Sequence, residues 1–135
     1  MTDAIRVKTN PDPLEAFRIA QGYRVGGLIF MSGQASINSA GDLVGVGDFD
    51  AQAEQTFQNI TSVLEAAGSD MSRIVKVVIY MTDITLFPKI IELREKWFTA
   101  PYPADTIVEV SSLALPELMV EIDVTALANG TVIDP

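Results

Sequence analysis

Three carboxylates in the last third of the chain are the side chains best able to move a proton. Glu121 and Asp123 alternate with Val120, Ile122 and Val124, so in an extended strand the two acids share one face and the apolar residues the other. Asp105 stands just ahead of a second run of this kind, TIVEVS at 106–111. If Glu121 and Asp105 face one pocket, their repulsion raises one pKa and leaves a proton shared between an acid and a base. The plain alternative is that Glu121 and Asp123 mark the solvated outer face of an ordinary strand. Histidine and cysteine do not compete for the role, because the chain contains neither. A Ser-His-Asp triad, a thiol nucleophile, a Cys/His zinc site, a haem histidine and an iron-sulfur cluster are therefore not supplied by this chain. Proton chemistry near neutral pH must use carboxylates, tyrosines, lysines or bound water.

The remaining composition narrows the partners. Eighteen acidic against nine basic residues give a net charge of -9, and the nine cations are scattered from Arg6 to Lys96. Nucleic acid is disfavoured, since phosphate binding draws on clustered Lys and Arg. Gly22, Gly26, Gly27 and Gly33 lack phosphate-loop spacing and read as bends or close backbone approaches, while Gly41, Gly45 and Gly47 read as turn residues. Asp42, Asp48 and Asp50 lack the calcium-loop pattern, and helix capping explains them better. Neither metal nor organic cofactor is expected. The N-terminal MTDAIRVKTNPDPLEAF carries no export or transit pattern, and no apolar run approaches the ~20 residues of a membrane span. The expectation is a cytoplasmic protein with a small-molecule ligand, no membrane and no nucleic acid.

The elements that must hold these acids are legible in outline. A chain of 135 residues suits a single domain over 1–135, which buries roughly two-thirds of its unfolded surface. The opening residues to Asn-Pro-Asp-Pro at 10–13 read as a lead strand or arm, and Phe17–Met31 as a pair of strands broken at Gly26-Gly27. Asp48 or Asp50 caps a helix in which Ala53, Phe57, Ile60, Leu64 and Ala67 recur at spacings of three and four, and Gly68 ends it. Val75–Met81 is apolar on both parities and reads as the central strand. Asp83–Thr99 supplies a second helix with Pro88 in its first turn and Phe87, Ile90, Ile91, Arg94, Trp97 and Phe98 near one face. Trp97 and Phe98 read as core or interface anchors. Strands at 106–111 and 119–127 complete an α+β order, β-β-α-β-α-β-β, with both helices on one face of a single sheet. The other face is too apolar for water, which predicts a closed oligomer.

The segments YRVGGLIFMSGQ at 23–34, VKVVIYMTD at 75–83 and PADTIVEVSSLALPELMVEIDVTAL at 103–127, with the intervening helix, resemble the Rid (YjgF-like) family of reactive-intermediate deaminases over about nine-tenths of the chain. The resemblance implies a chorismate-mutase-like fold, a homotrimer packed as a central barrel, and ligand clefts between subunits. It also implies that Ser32 and Gly33 shape the pocket and that Glu121 positions the water that hydrolyses an imine. Three positions depart from the deaminase pattern: Asp105 replaces the arginine that grips the substrate carboxylate, Ile19 falls where a cleft tyrosine is usual, and Ile91 falls where an asparagine is usual. A carboxylate ~4 Å from a bidentate arginine gains about 4 kcal/mol at an effective dielectric of 20, and an aspartate reverses that sign. Either Arg18 or Arg24 supplies the missing cation, or the ligand is neutral or cationic; the second is the reading adopted. The resemblance then gives a hydrolytic deaminase of a small imine or enamine outside the 2-iminocarboxylic acids, with Asp105 holding a cationic nitrogen and the backbone near Gly33 and Ile107 donating hydrogen bonds. A trimer that binds its ligand without chemistry is the alternative. The ribonuclease label attached to the family sits poorly with the charge.

Overall fold

An acid followed by an apolar repeat does start the first helix. Asp48, in extended backbone, accepts a hydrogen bond from Ala51 N at 3.1 Å, and α1 runs Phe49–Ala66. Gly68, at φ +79°, closes it in the left-handed conformation that glycine adopts without a Cβ penalty. In the computed structural model, which describes residues 1–135, the other elements are β1 (Ala4–Val7), β2 (Gly22–Val25), β3 (Leu28–Met31), β4 (Ile74–Met81), α2 (Phe87–Trp97), β5 (Ala104–Glu109) and β6 (Val120–Leu127). Pro88 lies in the first turn of α2, where its missing N–H costs nothing.

The six strands form one sheet in the order β1-β2-β3-β6-β4-β5, antiparallel except for the β4–β5 pair. Two expectations need correcting. The sequence order counts two strands before the first helix, yet three are present, because Ala4–Val7 pairs along the whole of β2 rather than lying as an arm. Val75–Met81 is also not central: β6 inserts between β3 and β4, which leaves β4 one strand from the edge. Its apolar character on both parities has another cause. Val77, Ile79 and Met81 are buried in the core, while Val78 and Tyr80 pair with Asp123 and Glu121 on the opposite face.

Alternation along β6 decides which face is which. Val120, Ile122, Val124 and Ala126 are buried, and Phe57, Ile60 and Leu64 of α1 join them in a single core cluster with Ile90 of α2. Trp97 stacks on Phe57 with ring centroids 5.0 Å apart and Phe98 meets Phe57 edge-on at 5.7 Å, so both aromatics anchor α2 to α1 as core residues. Ile91 does not share that face; it is half exposed on the far side of the helix. The other face of the sheet has no covering layer. Tyr23, Leu28, Phe30 and Val108 are exposed there, contributed mostly by β2 and β3 rather than by β4.

Candidate functional site

Gly33 and Glu121 meet at the end of β3. The chain leaves β3 through Ser32, and Gln34 pairs with Ile122 of β6 through two main-chain bonds of 2.8 and 2.9 Å. That pairing lays the Gly33 backbone on the Glu121 side chain. A Cβ at residue 33 would collide with Oε1 and stand 3.0 Å from Cδ, so glycine here leaves the Glu121 carboxyl its place against the backbone, and any larger residue would displace it. Ser32 is held by its N–H on Gln21 O at 2.9 Å and by its hydroxyl, which donates to Ala20 O at 2.5 Å.

Around this contact lies a cavity of about 420 Å³, walled by Leu14, Phe17, Ile19, Ile37, Leu115 and Leu118 and floored by the Ser32–Ala35 backbone. Glu121 is its only ionisable lining residue. Burial, with a smaller contribution from the Asp123 charge, pushes the Glu121 carboxyl above the usual range, and burial does the same to Asp123. A half-buried carboxyl of raised pKa, unpaired and against an apolar wall, can accept a proton from water and return it.

Of the residues singled out in the sequence, Glu121, Ser32, Gly33 and Ile19 come together in this cavity. Asp105, Ile107 and Ile91 do not. Asp105 and Ile107 pair with Val77 and Ile79 of β4 and face the helices, whereas Glu121 pairs with Tyr80 and faces the other way. Within one chain the two acids therefore lie on opposite faces of the sheet, and the charge acting on Glu121 is that of Asp123. Asp105 and Ile91 line a second cavity of about 640 Å³ with Arg94, Phe98 and Tyr102. There Arg94 Nε donates to Asp105 Oδ2 at 2.9 Å. The cation that answers Asp105 is thus Arg94 of α2, and neither Arg18 nor Arg24 lines either cavity.

Two α1 amides that sequence reading passed over, Gln52 buried and Asn59 half-buried, support the cavity wall. Gln52 accepts from Met119 N at 2.8 Å and donates to Glu117 O at 2.9 Å and Gly45 O at 3.1 Å, which fixes the loop carrying Leu115 and Leu118. One helical turn pair further, Asn59 Nδ2 donates to Ala35 O and Ile37 O at 2.9 and 2.8 Å. The available signal was their spacing: Gln52, Thr56 and Asn59 follow the same i, i+4, i+7 stripe as the apolar face of α1. Asp48, by capping α1, and Asp50, in an ion pair with Lys89 at 2.8 Å, are committed to the helices.

A sequence profile of the family described as Endoribonuclease L-PSP matches residues 8–128. A RutC family protein of Pyrococcus horikoshii is 31% identical over 126 residues, covering 93% of this chain and 98% of that one. The 2-iminobutanoate/2-iminopropanoate deaminase of Dermatophagoides farinae is 33% identical over 103 residues, covering 76% of this chain and 79% of that protein. Among solved structures, RidA from an Antarctic Psychrobacter species superposes with a TM-score of 0.82 at 31% identity, over 90% of this chain and 98% of that one.

Proposed function

Since the chain belongs to the Endoribonuclease L-PSP family, which takes in the Rid and RutC proteins, we propose that it is a hydrolytic deaminase of a small imine or enamine other than the 2-iminocarboxylic acids. The observation that carries this is Glu121, an unpaired half-buried acid at the wall of a largely apolar cavity, where the absence of a side chain at Gly33 leaves it room. Glu121 takes a proton from water as the oxygen bonds to the C=N carbon and delivers it to the nitrogen, giving a carbinolamine. It then carries the hydroxyl proton to the same nitrogen as the C–N bond breaks, and carbonyl and ammonia leave. Neither metal nor cofactor enters the scheme.

The apolar sheet face around Tyr23, Leu28 and Phe30 supports closure into the trimer that the family resemblance implies. Such closure would bring the second cavity, with Asp105, Ile91 and Ile107 nearby, from a neighbouring subunit toward the first. In that assembly Asp105 acts as a pair with Arg94 rather than as a bare carboxylate for a cationic nitrogen. The test is ammonia release from enzymatically generated imines. Glu121→Gln should lower turnover by about 10²- to 10⁴-fold, the usual scale of a general base. Turnover unchanged by the substitution removes Glu121 from the chemistry, and no turnover of acidic, neutral or basic imines by the wild type leaves the second reading, a ligand-binding trimer without chemistry, which is favoured by the cavity's single ionisable group.

A further inference from the structure

We propose that Arg94 grips the substrate: the edge of its guanidinium that Asp105 leaves free takes the carbonyl oxygen of a neutral, carboxamide-type group carried by the imine. This rests on the deaminase reading and the subunit closure above, and names the substrate class of that cleft. The geometry of the pair comes first. Asp105 Oδ2 accepts from Arg94 Nε at 2.9 Å, and the Phe87 ring centroid lies 5.7 Å from Cζ. Nε is the one nitrogen of the group that is bonded within the chain. Nη1 and Nη2 donate to nothing and keep contact with solvent, on the wall of the cavity of about 640 Å³. A guanidinium held at Nε has its plane fixed, and the donors that remain in that plane suit a carbonyl oxygen.

Charge comes second, and is counted over both halves of the cleft. Asp105 offsets most of the attraction that an anion would find at Arg94, and Glu95 stands on the same wall. The cavity that closure would bring opposite is lined by one ionisable group, Glu121. The two halves are therefore lined by one cation and three acids. A carboxylate meets that excess, whereas a carboxamide gives Arg94 an oxygen and carries no charge.

The Glu121 half has donors of its own. The main-chain N–H groups of Gly33 and Ala35 make no hydrogen bond within the chain and lie on its wall. A neutral ligand with two acceptor oxygens or nitrogens thus finds donors from both sides, and none of the wall's own hydrogen bonds has to open.

The test reads binding apart from turnover. NMR titration of the full chain compares 2-oxobutanamide with 2-oxobutanoate and with 2-butanone, which lacks the group to be gripped. The amide should bind at least about tenfold more tightly than either and should move the Arg94 side-chain ¹⁵N signals. Equal or tighter binding of another probe overturns the proposal, as does amide binding that leaves those signals in place. Arg94→Met and Asp105→Asn then separate grip from clamp, because each breaks the ion pair and a merely structural pair predicts like changes in both. The grip predicts that Arg94→Met weakens amide binding at least about tenfold. It also predicts that Asp105→Asn, which keeps the guanidinium and removes one acid, shifts the amide-to-acid preference at least about tenfold toward 2-oxobutanoate. Like changes in the two variants overturn it. Arg94→Lys keeps a cation beside Asp105 without the planar fork, and full retention of the amide's advantage there overturns it as well. An amide preference in a protein that releases ammonia from no imine would refute the deaminase reading alone, and ammonia release without that preference would refute the role of Arg94 alone.

Discussion

Two acids on strands that flank β4 have opposite surroundings. Asp105 on β5 has a cation: Arg94 reaches it from α2 at 2.9 Å, and the pair ties the helix to the sheet edge. Glu121 on β6 has none, and its nearest charge is another carboxylate, Asp123. The paired acid is a structural clamp, and the unpaired one has its pKa raised by burial. One β-strand of separation suffices, because pleat parity sends Asp105 to the helix side and Glu121 to the open side.

The contrast breaks most sharply at Glu121. Glu121→Gln keeps the shape and removes the exchangeable proton, and the expected loss in ammonia release is the 10²- to 10⁴-fold given above. Gly33→Ala should come next. The backbone at 33 does not require positive φ, and a methyl there meets the flexible end of Glu121, so thermal unfolding should shift by no more than about 1 kcal/mol. Activity should still fall by at least about tenfold, because a displacement near 1 Å at a catalytic group can cost about 100-fold. Unaltered kcat/KM in that variant would detach Gly33 from the positioning of Glu121.

The clamp calls for a stability measurement instead. A double-mutant cycle with Arg94→Met and Asp105→Asn should give a coupling of about 1–2 kcal/mol, between the values for exposed and buried ion pairs. Coupling near zero would remove the distinction between the two acids.

The smallest effect is the pH dependence of stability. Burial, then Asp123, raises the Glu121 pKa, so the folded state holds that proton to higher pH than the unfolded chain does. The stability linked to it is complete below the unfolded pKa and is lost as pH rises through the folded one. Glu121→Gln has nothing to lose, so its Tm relative to wild type should climb from pH 4 to pH 7. A difference that stays flat or falls would mean that Glu121 titrates as a solvated acid.

Much of this frame was legible locally. The Asp48 cap, the apolar stripe of α1 and the alternation Val120–Ile122–Val124 against Glu121–Asp123 all reflect periods of 3.6 and 2, which any window of the sequence displays. The extra strand β1 and the off-centre β4 were not, because pairing partners lie far along the chain and leave no local period. Arg94 stands in a helix pattern that explains it without Asp105, and only the register of β5 against β4 brings the two together.

By itself, then, the sequence determined an α+β chain without histidine or cysteine, whose proton chemistry is left to carboxylates, tyrosines, lysines or water, with Glu121 on the polar face of its last strand. The tertiary structure alone decided that Glu121 and Asp105 part company, that Arg94 answers Asp105, and that residues near 14–19, 33–37 and 114–118 converge into one apolar cavity. The reason is physical: burial periodicity is written in adjacent residues, whereas a pocket is made by segments brought together through register and hydrogen-bonded loops.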